Sequence, residues 1–183
     1  MKKIVCLLAD GFEETEAIAT IDVLRRAGFQ VDVVSVNSTE LVTSSRKIRV
    51  LADRLWGPDL RDYDLLFLPG GQPGSNHLAA DARVVGLVKD MYNQGKFVSA
   101  ICAAPLVLAK AGILNGKKVT SYPVESGNET FKNADYREEP VVIDGNLITS
   151  RGVGTVLPFA YTLVDVLGGD SETLKKAMLY RGQ

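Results

Sequence analysis

From Lys3 to Ala9 the chain is almost continuously apolar, the pattern of a strand covered on both faces rather than one. Asp10-Gly11 then turns the chain. From Glu13 to Arg26 the spacing becomes helical, with Ile18, Ile21 and Leu24 at steps of three. Acidic residues crowd the first turn of this helix and Arg25-Arg26 the last, as the helix dipole favours, and Gly28 follows as a cap. Gln30 to Val36 is β-branched and alternating. Strand, helix and strand in so short a span form a βαβ unit with parallel strands and a right-handed crossover.

The same grammar continues. Leu41 to Ala52 reads as two short strands around Ser44-Ser45-Arg46-Lys47, a small antiparallel excursion. Asp64 to Leu68 is a buried strand stopped by Pro69-Gly70-Gly71. Asp81 to Asn93 is an amphipathic helix closed by Gly95, and Phe97 to Ile101 a further core strand running into Cys102. Ala103 to Ala111 reads as a helix ending at Gly112. Val119 to Asn133 is the least regular segment. Val141–Ile143 and Leu147–Thr149 flank Asp144-Gly145-Asn146, a hairpin signal. Helices over Thr155 to Leu167 and Ser171 to Tyr180 complete the chain. Without a linker, repeat or low-complexity tract, residues 1–183 read as one doubly wound α/β domain.

Composition narrows the function. Lys and Arg number 21 against 22 Asp and Glu, a net charge of −1, so nothing suggests a nucleic-acid binder. No stretch approaches the roughly 18 apolar residues of a membrane span. The first apolar run ends at Asp10 rather than at a small-residue cleavage site, so a cytoplasmic protein is expected. Two cysteines, Cys6 and Cys102, and one histidine, His77, limit the chemistry further. A zinc site needs more ligands than these, and no metal or cofactor is expected. G-x-S-x-G is absent, Gly112–Lys118 lacks P-loop spacing, and Gly152-Val153-Gly154 lacks the third glycine of a dinucleotide fingerprint.

In open α/β sheets ligands bind beyond the carboxyl ends of the strands. Those ends are Ala9-Asp10-Gly11, Pro69-Gly70-Gly71, Ile101-Cys102-Ala103 and Ser150-Arg151-Gly152. Cys102 stands at a strand-to-helix junction, the topology of a nucleophile elbow. The free N–H groups of the following helix favour a thiolate there, and Pro105 fits its first turn. Cys6, in mid-strand, is a core residue. Gly70 and Gly71 permit close backbone approach, and their N–H groups with that of Ala103 would form an oxyanion or anion pocket. Any of Glu13, Glu14 and Glu16 could stand beside the thiol, or simply compensate the helix dipole. His77, read as the start of a helix, is expected to be solvated rather than a base for Cys102.

Four segments together carry a resemblance. They are Ala9 to Glu16, Leu68 to Gly71, Ala100 to Pro105 and Thr149 to Thr155. In order and across nearly the whole chain, they resemble the ThiJ/PfpI superfamily, most closely its DJ-type branch. The resemblance implies a flavodoxin-like, three-layer α/β/α sandwich with a mostly parallel sheet, related to class I glutamine amidotransferases, and a homodimer. It implies that Cys102 is the oxidation-sensitive elbow cysteine. Glu16 would be the acid bonded to it, and Gly71 and Ala103 the backbone donors. Arg26 and Arg46 match basic residues near the dimer seam, and Glu13 an acid that pairs with such an arginine across it. Tyr122 stands where many members carry a histidine, and Ala103 where the protease-like branch has one. The peptidase reading therefore loses its imidazole, and glyoxalase activity that uses that histidine is put in question.

The resemblance implies either of two roles. One is chemistry on small reactive carbonyls or glycated proteins, with Cys102 thiolate as nucleophile and Glu16 as proton shuttle. The other is a non-enzymatic oxidative-stress sensor or holdase for unfolded proteins, with Cys102 oxidised to sulfinate. A fold-sharing relative with another small ligand, including a thiazole-biosynthesis protein, is the remaining alternative.

Overall fold

The computed structural model describes residues 1–125 and 128–182. Its centre is a seven-stranded sheet. In chain order its strands are β1 (Lys3–Leu8), β2 (Gln30–Ser35), β5 (Arg54–Leu55), β6 (Leu65–Leu68), β7 (Phe97–Ile101), β10 (Val141–Asp144) and β11 (Leu147–Ser150). Across the sheet they run β10-β11-β7-β6-β1-β2-β5, all parallel except the β10–β11 hairpin. A separate antiparallel pair, β3 (Leu41–Thr43) and β4 (Arg49–Leu51), forms the expected excursion. A second small pair, β8 (Lys118–Val119) with β9 (Asp135–Tyr136), organises part of the irregular segment, where Ser126 and Gly127 lie outside the described residues.

The two-fold alternation of a strand decides the layers. In β1, Val5 and Leu7 face one core with α2 (Gly74–Ala80), α3 (Ala82–Asn93) and α4 (Pro105–Lys110). Ile4, Cys6 and Leu8 face the other, with α1 (Glu14–Arg26) and α5 (Val156–Val166). Both faces are covered, so β1 from Ile4 onward and all of β6 need apolar residues at every position, and Leu65 to Leu68 are fully buried. At roughly 1.5–3 kcal/mol for each fully buried large apolar side chain, this sheet is the main source of stability. The result is the three-layer α/β/α sandwich that the resemblance implies. Cys6 is a core residue as expected, its thiol pushed far up by burial.

Several boundaries differ from the sequence reading. The helix after Cys102 spans only Pro105–Lys110, because Ala103 and Ala104 form the turn that Cys102 opens. The last helix, α6 (Ser171–Ala177), stops short of Tyr180. His77 sits within α2 rather than at a helix start, its Nδ1 2.9 Å from the main-chain oxygen of Asp10.

Strand order places the site. The chain winds outward one way through β1 and β2, then steps back across β1 to β6 and continues to β7 and β11. The reversal opens a crevice at the carboxyl ends of β1 and β6. Among the described residues no helix is long and apolar enough to cross a membrane.

Candidate active site

At this crevice a cleft of about 640 Å³ is lined by Cys102, Glu16, Gly71, Ala103, Tyr122 and Arg151, and by Glu13 and Arg46. Glu16 arrives from the first turn of α1. Its neighbour Glu13 caps that helix by accepting the Glu16 N–H at 2.7 Å, and the Glu13 N–H donates to Gly70 O at 2.7 Å. These bonds clamp the start of α1 to the end of β6. They place the Glu16 carboxyl, 0 % exposed, under the Cys102 side chain.

Glycine is required where the two elements meet. A Cβ on Gly70 would lie 2.6 Å from both Cys102 Cβ and Glu16 Oε2, so any side chain would drive the pair apart. Gly71 adopts φ +92°, and its added Cβ would meet the Glu13 nitrogen at 2.4 Å. The two glycines take different roles. The Gly70 N–H donates to Glu16 Oε2 at 2.9 Å, so it holds the acid and is not a donor to the anion pocket, contrary to expectation. The N–H groups of Gly71 and Ala103 instead face the Cys102 sulfur and act to lower its thiol pKa.

Cys102 is held in a strained conformation at φ +63°, unusual for a residue with a side chain. Its N–H donates to Ser150 O at 3.0 Å and its carbonyl accepts from Tyr122 N–H at 2.7 Å, so neighbouring segments fix the elbow from both sides. The sulfur is thereby presented to the cleft while the backbone turns from β7 towards α4.

The protonation of the pair differs from what a helix end alone predicts. Burial, and then the Glu16 carboxylate, push the Cys102 thiol up to about 12, against the lowering effect of the Gly71 and Ala103 N–H groups. Burial first, and then the charge of the acid from the start of α1, outweigh the local helix end. Burial likewise pushes Glu16 up to about 7, opposed by Cys102 and the Gly70 N–H. With both groups raised, a thiolate forms most readily when its proton remains on Glu16, because that removes the opposing charge and supplies a donor. Glu16 Oε1 is buried and meets no hydrogen-bond donor among the described residues, which leaves that oxygen for a proton or a ligand atom.

Among the other expected site residues, Glu14 is buried and accepts from Ser45 Oγ at 3.1 Å, away from the sulfur. Tyr122 lines the cleft and is 62 % exposed. Arg46 also lines the cleft, donating to Ser45 Oγ at 3.1 Å. Arg26 does not line the cleft: it is exposed on the last turn of α1 and paired with Asp22 at 2.7 Å, one helical turn back. His77 is also absent from the lining.

Arg151 is a cleft residue that the sequence reading did not single out, although the end of β11 was recognised as a ligand-facing position. Thr155 supports it, its hydroxyl accepting from the Arg151 and Gly152 N–H groups at 3.2 and 3.0 Å.

This geometry accompanies a match of residues 2–166 to the DJ-1/PfpI family model. The chain belongs to the DJ-1/PfpI family. The crystal structure of Drosophila melanogaster DJ-1beta superposes with a TM-score of 0.92 at 40% identity, covering 99% of each chain. Oxidized Toxoplasma gondii DJ-1 superposes with a TM-score of 0.91 at 34% identity over 100% of each chain. The glutathione-independent glyoxalase DJ-1 of Schizosaccharomyces pombe is 33% identical over 174 residues, 90% of this chain and 91% of the relative. The flavodoxin-like architecture implied by the resemblance is that of these DJ-1/PfpI relatives.

The raised Glu16 pKa has a consequence for stability. In the folded chain Glu16 keeps its proton to about 7, against an ordinary value near 4.5 when unfolded. The folded state therefore binds more protons between those values. This contribution is complete below pH 4.5 and is lost as pH rises through 7. Glu16→Gln should flatten the fall in stability across this window by about 3 kcal/mol, read by urea unfolding at several pH values. An equally steep fall in the variant would contradict the assignment.

Proposed function

We propose that this chain converts small reactive α-oxoaldehydes to 2-hydroxy acids, with Cys102 as nucleophile and Glu16 as proton carrier. The observation that carries the reading is the buried Glu16 carboxyl set against the Cys102 side chain at Gly70, with one carboxyl oxygen that meets no hydrogen-bond donor among the described residues. The name of the fission-yeast relative supports the same reaction class.

In the first step the thiol proton passes to Glu16 as Sγ forms a bond to the aldehyde carbon. The carbonyl π pair moves to oxygen, which faces the Gly71 and Ala103 N–H groups and takes the proton from Glu16. The product is a hemithioacetal, and Glu16 is again a carboxylate. Glu16 then removes the proton from the former aldehyde carbon. The electron pair left behind forms a carbon–carbon double bond as the adjacent carbonyl π pair moves to its oxygen, giving an enediolate; the same proton then returns to that second carbon, and the hydroxyl proton of the first carbon passes to the second oxygen. The aldehyde carbon is thereby oxidised to a thioester while its neighbour is reduced to an alcohol. Water hydrolyses the thioester, releasing the 2-hydroxy acid and restoring the thiol. The net change is addition of one water, so the redox change is internal. An acid raised to about 7 is matched to a step that takes and returns one proton near neutrality.

This route needs no imidazole, and it leaves Tyr122 as a wall of the cleft. Glycated protein adducts would be substrates only where the adduct reaches the sulfur through the same opening. We take the active form to be a homodimer in the cytoplasm; the exposed apolar side chains of Ile18, Leu41 and Leu51 support the association.

A second reading, redox sensing with or without holdase activity, is favoured by the oxidized form of the Toxoplasma relative and by the acid beside the sulfur. Two peroxide molecules would each give one oxygen to Cys102 and leave as water, and a protonated Glu16 would donate to the resulting sulfinate.

Methylglyoxal turnover to lactate should fall at least about 1000-fold in Cys102→Ser and about 100-fold in Glu16→Gln, scales that befit loss of a nucleophile and of a general acid–base. Equal lactate formation by wild type and Cys102→Ser would exclude the proposal. For the second reading, mass spectrometry after mild peroxide should find two added oxygens on Cys102. An unmodified Cys102 under those conditions would exclude sensing.

A further inference from the structure

Two arginines line the cleft, and among the described residues neither forms a salt bridge: Arg46 is exposed and donates to Ser45 Oγ, whereas Arg151 is half-buried. Arg25, Arg26, Arg54, Arg61, Arg83 and Arg137 each pair with an aspartate. Arg151 does not: among the described residues its partners are two main-chain carbonyls, Ser121 O from Nε at 3.3 Å and Glu138 O from Nη1 at 3.1 Å. These carbonyls orient the guanidinium without neutralising it, and they leave part of its five-donor fork unused. The residue is half-buried and lines the same cleft as Cys102. Of the two acids that line that cleft, Glu13 is engaged in capping Glu16, and Glu16 is itself held by the Gly70 N–H.

We infer that Arg151 forms an anion subsite beside Cys102, so that the preferred ligand is a reactive carbonyl compound bearing a carboxylate or phosphate group. The inference rests on Cys102 being the nucleophile of the cleft, the reading proposed above, and it goes further by naming the substrate class. A planar guanidinium fixed by two carbonyls can present its remaining N–H groups to one oxyanion in a charge-assisted contact. The opening beside it is narrow but not closed. Gly152, next in the chain, has no side chain in the space between the sulfur and Tyr122. A Cβ there would lie 3.9 Å from Cys102 Sγ and 3.8 Å from Tyr122 Cδ2. A substituent of the carbonyl compound can therefore run from the sulfur past Gly152 towards Arg151.

Two alkylating agents of nearly equal shape test this without relying on turnover. Iodoacetate carries a carboxylate where iodoacetamide carries a neutral amide. With either, Sγ bonds to the methylene carbon as the carbon–iodine bond breaks, iodide leaves with the electron pair, and the thiol proton passes to Glu16 or solvent. Cys6 is fully buried, so modification of the folded chain reads Cys102. The ratio of iodoacetate to iodoacetamide rates, followed by mass spectrometry at one mildly alkaline pH, should fall about tenfold in Arg151→Gln, the scale of one charge-assisted contact. Arg151→Lys, which keeps the charge, should recover part of that loss. In wild type, inorganic phosphate or acetate, each compared with chloride at matched ionic strength, should slow iodoacetamide. Protection by phosphate marks a phosphate-bearing ligand and protection by acetate a carboxylate-bearing one. A ratio unmoved in Arg151→Gln, or protection by neither anion, overturns the subsite. Methylglyoxal turnover fails or persists independently of this ratio, so the two proposals can fall separately.

Discussion

A carboxyl group buried away from the solvent-accessible surface, pressed against a thiol, is the constraint on which the rest of the site depends. Glu16 is fully buried, and its one hydrogen bond from the backbone comes from Gly70. A lone buried carboxylate is costly, so the group holds its proton to about 7 and the nearby thiol is pushed up to about 12. Two weak acids that cannot both ionise cheaply form a store for one proton. That property is what either redistribution of protons on a carbonyl compound or stabilisation of an oxidised sulfur would draw on.

The fold exists to keep this pair together. The Glu16 carboxyl comes from the first helix, Gly70 from the end of the fourth sheet strand in chain order, and Cys102 from the end of the fifth. Only parallel strands with their carboxyl ends on one edge, and a crevice between β1 and β6, bring these segments to one place. Glycine at 70 lets the helix start and the elbow touch, and the strained backbone at Cys102 turns the sulfur outward. The dense apolar packing on both faces of β6 and β7 stabilises a junction that is locally unfavourable.

Much of this was legible in the chain because the signals are local. Ile4 to Ala9 and Leu65 to Leu68 are apolar at every position since both faces are covered, and Gly28, Gly95 and Gly145 punctuate the elements they end or join. Cys102 could be singled out because a polarisable residue between an apolar strand and Ala-Ala-Pro has few structural reasons to be there. What could not be read depends on distant segments. The helix containing His77 places only Leu78 of its apolar residues deep in the core, so it has almost no periodicity to detect. The opposite tasks of Gly70 and Gly71 follow from which way each N–H points. The local helix end argued for an easily ionised Cys102, whereas burial, and then an acid 86 positions earlier in the chain, reverse the sign. Arg26 satisfies the resemblance in sequence but points along its own helix to Asp22. The isolation of Arg151 is a property of what surrounds it, which a strand-end position alone does not reveal.

The central claim is that Glu16 carries a proton near neutrality because it is buried against Cys102, and the most direct measurement is a titration of that carboxyl itself. The 13C resonance of the Glu16 side-chain carboxyl, assigned by its loss in Glu16→Gln, should titrate with a midpoint near 7 in the reduced protein. A midpoint at the ordinary glutamate value near 4.5 would contradict the account.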